Sequence, residues 1–195
     1  MIKPEMSASV KNAIYQRRAV RSYLPQRLDA ATVRTLLEAA VWAPTAIHEE
    51  PWVFVVIQDM DLLKRLSDRA KAFFVEEIHH QHLDRGGHAL DRFKSPDFNI
   101  FYNAGTLIVI CGKPLGPFVA ADCWLAAENL MLAACSMGLG TCVIGSAVSG
   151  LNSPEVKAEL GIPAEVSAIA PIIVGVPSGE TPLTSRKEPQ ILVWK

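Results

Sequence analysis

Apolar residues recur along this chain in two ways, at the three-to-four-residue step of a helix and in the unbroken runs of a buried strand. Val10, Ala13 and Ile14 share a helical face and predict a helix over residues 7–18, which ends in the cations Arg17, Arg18 and Arg21. Val33, Leu36, Leu37, Ala40 and Val41 predict a second helix, with Asp29 as its N-cap and Pro44 closing it. Residues 52–57 form a continuous β-branched and aromatic run, as expected of a strand covered on both faces. Asp59 can cap a third helix, whose buried stripe is Leu62, Leu63, Leu66, Ala70, Phe73 and Phe74 and which runs out near His79. Periodicity is then lost over residues 80–100, a stretch long enough to suggest a lid or binding segment.

A second strand is expected over residues 106–111 and a third over 166–176, with a short helix between Ser153-Pro154 and Gly161. Residues 119–137 read as one long helix, apolar on nearly every side, with Asp122, Asn129 and Ser136 seven residues apart on a narrow polar stripe. Such a helix must be covered by its own sheet or by a second subunit. Its exit is glycine-rich, from Gly138 to Gly145, and the final apolar run, Ile191 to Trp194, can add an edge strand. No repeat or linker divides the chain, so residues 1–195 are expected to form one domain.

Composition narrows the functional classes. Half the residues are apolar, a fifth are charged and the net charge is −1, so nothing attracts a nucleic-acid backbone. Asp122, Glu128 and Asn129 interrupt the most membrane-like stretch, and each would be costly in hydrocarbon. The opening residues, with Lys3, Glu5, Lys11, Arg17 and Arg18, hold no apolar run long enough for an export signal. Cys111, Cys123, Cys135 and Cys142 lie in apolar stretches without metal-ligand spacing and read as reduced core residues. A cytoplasmic protein with a small-molecule partner is the expectation.

Several motifs carry less than they first suggest. The glycine-rich exit lacks the third glycine of a dinucleotide fingerprint, since Val143 stands there, and it follows a helix rather than a strand. Gly138 and Gly140 are better read as a helix cap and a point of close packing. His79, His80, His82 and His88 cluster at a helix end without a clear carboxylate or thiol partner, so a solvated helix end is expected and no metal. No Ser/His/Asp arrangement is present. What remains is Arg17, Arg18 and Arg21 near one end and Arg186 with Lys187 near the other, forked and ammonium donors suited to phosphate oxygens if the fold brings them together.

Arg17-Arg18-Ala19-Val20-Arg21-Ser22-Tyr23 resembles the R-R-S-V-R-x-[FY] opening of the FMN-dependent nitroreductases. Residues 43–52, Ala-Pro-Thr-Ala-Ile-His-Glu-Glu-Pro-Trp, resemble that family's A-P-S-x-x-N-x-Q-P-W loop. Glu128-Asn129-Leu130 through Gly138-Leu139-Gly140-Thr141 resembles its long helix and exit, and Gly175-Val176-Pro177 with Arg186-Lys187 its closing motifs. The resemblance spans nearly the whole chain. It implies an α+β, three-layer fold with a central mixed, mainly antiparallel sheet flanked by helices, in a homodimer with flavin sites at the interface. It further implies FMN as cofactor and NAD(P)H as electron donor, with ping-pong reduction of nitroaromatic or quinone compounds and no catalytic side chain required. A specialised dehydrogenase or dehalogenating branch, or a non-catalytic flavin-binding protein, are the alternatives.

By position, the resemblance implies that Arg17, Arg18, Ala19, Arg21, Arg186 and Lys187 surround the phosphate and ribityl end of FMN. Ile144 and Gly145 would lie against its ring, and Pro44, Thr45, Ala46 and His48 would come from the second subunit. Three residues depart from the pattern: Ala19 stands for serine, His48 for asparagine and Glu50 for glutamine. A neutral histidine offers one ring proton where an amide offers two donors and an acceptor. Glu50, if buried and ionised, would disfavour a reduced ring.

Overall fold

The strand of residues 106–112 anchors the molecule: every residue of Thr106–Gly112 is buried, which requires cover on both faces. The computed structural model describes residues 4–80, 88–182 and 184–195. In chain order its elements are α1 (Pro4–Gln16), α2 (Ala30–Val41), β1 (Trp52–Ile57), α3 (Met60–His80), α4 (His88–Lys94), β2 (Thr106–Gly112), α5 (Val119–Ser136), β3 (Gly140–Val143), α6 (Val148–Leu151), α7 (Pro154–Leu160) and β4 (Ser167–Gly175). The strands form one four-stranded sheet in the order β1-β2-β4-β3. Every pairing between them is antiparallel.

Alternation along the central strands divides the core in two. Leu107, Val109, Cys111 and Ile173 join Leu63, Leu66 and Ala70 of α3 and Leu151 of α6 on one side. Ile108, Ile110, Ile172 and Val174 join Leu36 and Ala40 of α2 and Cys123, Ala127 and Leu130 of α5 on the other. This is the three-layer α+β arrangement expected.

Local signals set the helix starts. The Asp29 carboxylate accepts from the Thr32 N–H at 2.7 Å. Asp59 accepts from the Leu62 N–H at 2.9 Å, and Ser153 caps α7, which closes on Gly161 in the left-handed conformation. Three expectations are corrected. The run 52–57 is an edge strand, half-buried along most of its length, because only β2 pairs with it. The glycine-rich exit contains β3, the opposite edge of the sheet. Ile191 to Trp194 forms no strand and is exposed, since no sheet edge lies against it within the chain.

Within one chain the long helix is covered on part of its surface. Trp124 and Leu125 of α5 are 43% and 46% exposed, because the sheet and α2 pack against its opposite face. All four cysteines are free, three buried and Cys135 half-buried. Residues 88–94 form α4 inside the stretch expected to be irregular, and His82 lies outside the described residues. Among the described residues no helix is long and apolar enough to cross a membrane.

Candidate functional site

The cationic segment after α1 is stitched to the exposed edge of the sheet. Val20 donates its N–H to the Thr141 carbonyl at 2.9 Å, and Ala19 bridges Thr141 in parallel sense, so residues 19–20 extend the sheet beyond β3. Farther on, Leu24 donates to Val176 and Ser178 donates to Ser22, both at 2.9 Å. Val20 points inward while Ala19 and Arg21 are exposed, the alternation of an extended strand. Gly140 permits the approach: a Cβ there would lie 2.7 Å from a methyl of Val20. The Tyr23 hydroxyl donates to the Val20 carbonyl at 2.7 Å, and its burial pushes the phenol pKa well above the usual range.

This stitching builds two cavities. The first, of about 230 Å³, is walled by Arg17, Arg18, Gly138 to Thr141, Cys135 and the start of the C-terminal tail at Gly179 and Thr181. The second, of about 180 Å³, is lined by Arg21, Cys142 to Ser146, Ile100 and three aromatic rings, Phe93, Phe98 and Tyr102. Burial raises the Cys135 and Cys142 thiols, with the nearby arginines pulling in the opposite direction. Gly145 lines the second cavity, and a Cβ built there would meet nothing within 4 Å.

Arg18 carries the strongest chemical signal. One of its terminal nitrogens donates to the carbonyls of Tyr15 and Arg17, both at 2.7 Å, which fixes the guanidinium. Its Nε is buried and has no partner among the described residues. A buried donor left unmade costs about 1–3 kcal/mol, a cost that an acceptor brought to it would relieve. Arg17 alongside pairs with Glu128 at 3.6 Å. A cationic cavity with a waiting donor and a backbone wall of glycines fits a phosphate monoester.

The loop after α2 is different. Ile47, His48 and Glu50 all have positive φ, at 46°, 59° and 46°, which is strained backbone for residues other than glycine. Asp122 holds the loop: its buried carboxylate accepts the Ala46 N–H at 3.2 and 3.3 Å. Ile47 nevertheless stands 84% exposed, and the Trp52 Nε that follows the loop is the other buried donor without a partner among the described residues.

Arg17 and Arg18 thus share one cavity, and Arg21, Ile144 and Gly145 share the other, with Ala19 on the bridge between. Pro44, Thr45, Ala46 and His48 lie on the strained loop and line neither cavity. Arg186 and Lys187 are exposed on the extended tail and are not brought to either cavity wall within this chain. Arg186 stands five positions beyond Thr181 at the wall, a reach of up to roughly 17 Å. Glu50 is exposed, so the condition of burial attached to it is not met in the protomer. Phe93, Phe98 and Tyr102 carry no signal in the sequence beyond, for the first two, a place in the stretch without a period.

The Nitroreductase family model matches residues 14–176. The chain belongs to the nitroreductase family. A protein of Archaeoglobus fulgidus, provisionally named an NADH dehydrogenase/NAD(P)H nitroreductase, is 27% identical over 172 residues covering 86% of this chain and 84% of that one. An FMN-bound nitroreductase structure from Bacteroides fragilis superposes with a TM-score of 0.79 at 27% identity, over 94% of this chain and 96% of that one. An iodotyrosine deiodinase of Thermotoga neapolitana is 22% identical over 89% of this chain and 91% of its own length. The family therefore supports an oxidoreductase, while its members differ in substrate.

Proposed function

We propose that this protein is an FMN-dependent oxidoreductase that takes electrons from NAD(P)H and reduces nitroaromatic, quinone or related small molecules. The observation that carries the reading is the buried, unpartnered Nε of Arg18 on a cavity shared with Arg17 and backed by Gly138 to Thr141. Bound there, FMN would supply a ring able to accept hydride from a nicotinamide and pass electrons on from the same open face.

The chain's own residues then bind and orient. Arg17 and Arg18 would hold the phosphate, with Arg186 and Lys187 adding charge from the tail. Arg21 and the backbone of Ile144 and Gly145 would face the ring, and the bare Cα of Gly145 leaves that wall open. The strained loop from Pro44 to His48 would complete the pocket of a second copy, in a homodimer that also covers Trp124, Leu125 and Ile47. No protein acid or base is assigned. A cytoplasmic setting agrees with four free cysteines.

The purified protein should absorb in the visible as a flavoprotein, bleach with NAD(P)H and recover with a nitroaromatic. Arg18→Ala should weaken FMN retention by roughly tenfold or more, and salt should weaken what remains less steeply than in wild type, because one counter-charge of the phosphate is gone. Retention equal to wild type removes the phosphate seat. A second reading, the dehalogenating branch, is favoured by the deiodinase relative. It predicts reoxidation by a halogenated phenol and none by nitroaromatics.

A further inference from the structure

The cavity beside Gly145 adjoins a second chamber of about 290 Å³, and the two share Arg21, Phe98 and Tyr102 as walls. The outer chamber adds Arg92, Asp97 and Asn99. Its floor is a rigid aromatic cluster: Phe98 meets Phe93 edge-on at 5.5 Å and Tyr102 edge-on at 5.7 Å, and Phe93 packs on Phe74 at 4.7 Å. Buried Lys71 locks this floor from beneath. It donates to the Phe98 carbonyl at 2.8 Å and the Ser95 carbonyl at 3.2 Å, and it pairs with Asp68 at 3.0 Å. Tyr102 and Asn103 hold left-handed backbone at φ 51° and 57°, a strained turn in the chamber wall.

Arg92 lies over this floor, its guanidinium 4.3 Å from the Phe98 ring centre and 5.5 Å from that of Tyr102. Stacking occupies the flat face of a guanidinium and leaves its N–H edge free. That edge makes no ion pair among the described residues. We propose that this outer chamber is an acceptor subsite for aromatic compounds bearing a carboxylate: the ring lies beside Arg92 in the space that Phe98 and Tyr102 border, and the edge of Arg92 takes the two carboxylate oxygens. Arg21 and Arg92 together outweigh Asp97, the only carboxylate among the lining residues, so the chamber is net cationic. The negative charge of Asp97 on the same wall tempers the preference. The inference rests on the proposed function, since it names the substrate class for that same site.

The test compares 4-nitrobenzoate with its neutral amide, 4-nitrobenzamide, on the FMN-loaded protein. It measures kcat/KM with NAD(P)H and, with no reductant present, binding by calorimetry. Wild type should favour the carboxylate by roughly fivefold, the order expected of a solvent-accessible ionic contact. Arg92→Gln should bring the carboxylate-to-amide ratio to about one, chiefly through KM for the carboxylate, and Arg92→Lys should restore it only in part, because an ammonium neither stacks nor forks. Asp97→Asn should raise the ratio, which keeps the proposal testable if Arg92→Gln does not fold. A wild type indifferent to the charge, or a ratio unmoved by Arg92→Gln, overturns the subsite. If calorimetry discriminates but neither compound is reduced, the subsite stands and the proposed reaction falls. If both are reduced and bound equally, the reverse holds.

Discussion

The two faces of the sheet are finished to different degrees. On the α3 side, Leu63, Leu66, Phe101 and Leu151 are almost wholly buried between the sheet and the helices, while Phe73 of α3 stands 38% exposed. On the α2 and α5 side the sheet-facing residues are equally buried, but the outer surface carries Trp42 at 85% exposure, Ile47 at 84% and the half-exposed Trp124 and Leu125. An apolar surface of this kind beside a strained loop is what a protein leaves for an interface. One face is therefore a stability device, and the other becomes complete in the proposed dimer.

The contrast breaks most sharply at the closed face. Leu66→Ala removes a side chain only 2% exposed between α3 and the sheet, and it should cost about 3 kcal/mol in chemical denaturation. A much smaller loss would mean that this layer relaxes easily and is not the rigid half. Trp124→Asp on the open face should leave the circular dichroism of the protomer intact while weakening self-association by roughly 2 kcal/mol, about thirtyfold in dissociation constant. Equilibrium sedimentation reads this directly. If Trp124→Asp changes nothing in association, α5 is a solvent face and the dimer must form elsewhere.

The same contrast explains what the sequence could and could not tell. Elements buried on both sides or capped by side chains were legible: β2 from its unbroken apolar run, α2 from Asp29 and the stripe of Val33, Leu36 and Ala40, and α7 from Ser153 and Gly161. The edges were not. β1 has the composition of a central strand yet lies at the sheet's margin, and β3 is too short, at four residues, to show a period after the glycines. Arg17, Arg18 and Arg21 stood out as cations in a recognisable string. The arrangement that joins them to Gly140 and Ile144 is tertiary, made by a bridge between residues 19 and 141. Arg92, Phe98 and Tyr102 converge through α4 and a strained turn, and no local spacing encodes that meeting. The tail with Arg186 and Lys187 stayed illegible because it is exposed and carries neither a helical nor a strand period.

Each core also carries its own titrating marker. Cys111 belongs to the α3 side and Cys123 to the α5 side, and both are fully buried. Burial lifts Cys111 from 9.0 to about 11, and burial together with the neighbouring Cys111 and Asp122 lifts Cys123 from 9.0 to about 12. Well below pH 9 the thiols are neutral in folded and unfolded chains alike, and their contribution to stability is complete. Above it the unfolded chain loses protons that the native state keeps, so stability falls as pH rises, up to about 11 for Cys111 and about 12 for Cys123. Cys111→Ala and Cys123→Ala should each flatten the loss measured by urea denaturation between about pH 8 and about pH 10, whatever their baseline stability. The flattening by Cys123→Ala should not depend on protein concentration, since that thiol faces the sheet rather than the open surface of α5. Slopes identical in wild type and both variants would mean the thiols ionise without unfolding, and that neither core is as dry as its packing implies.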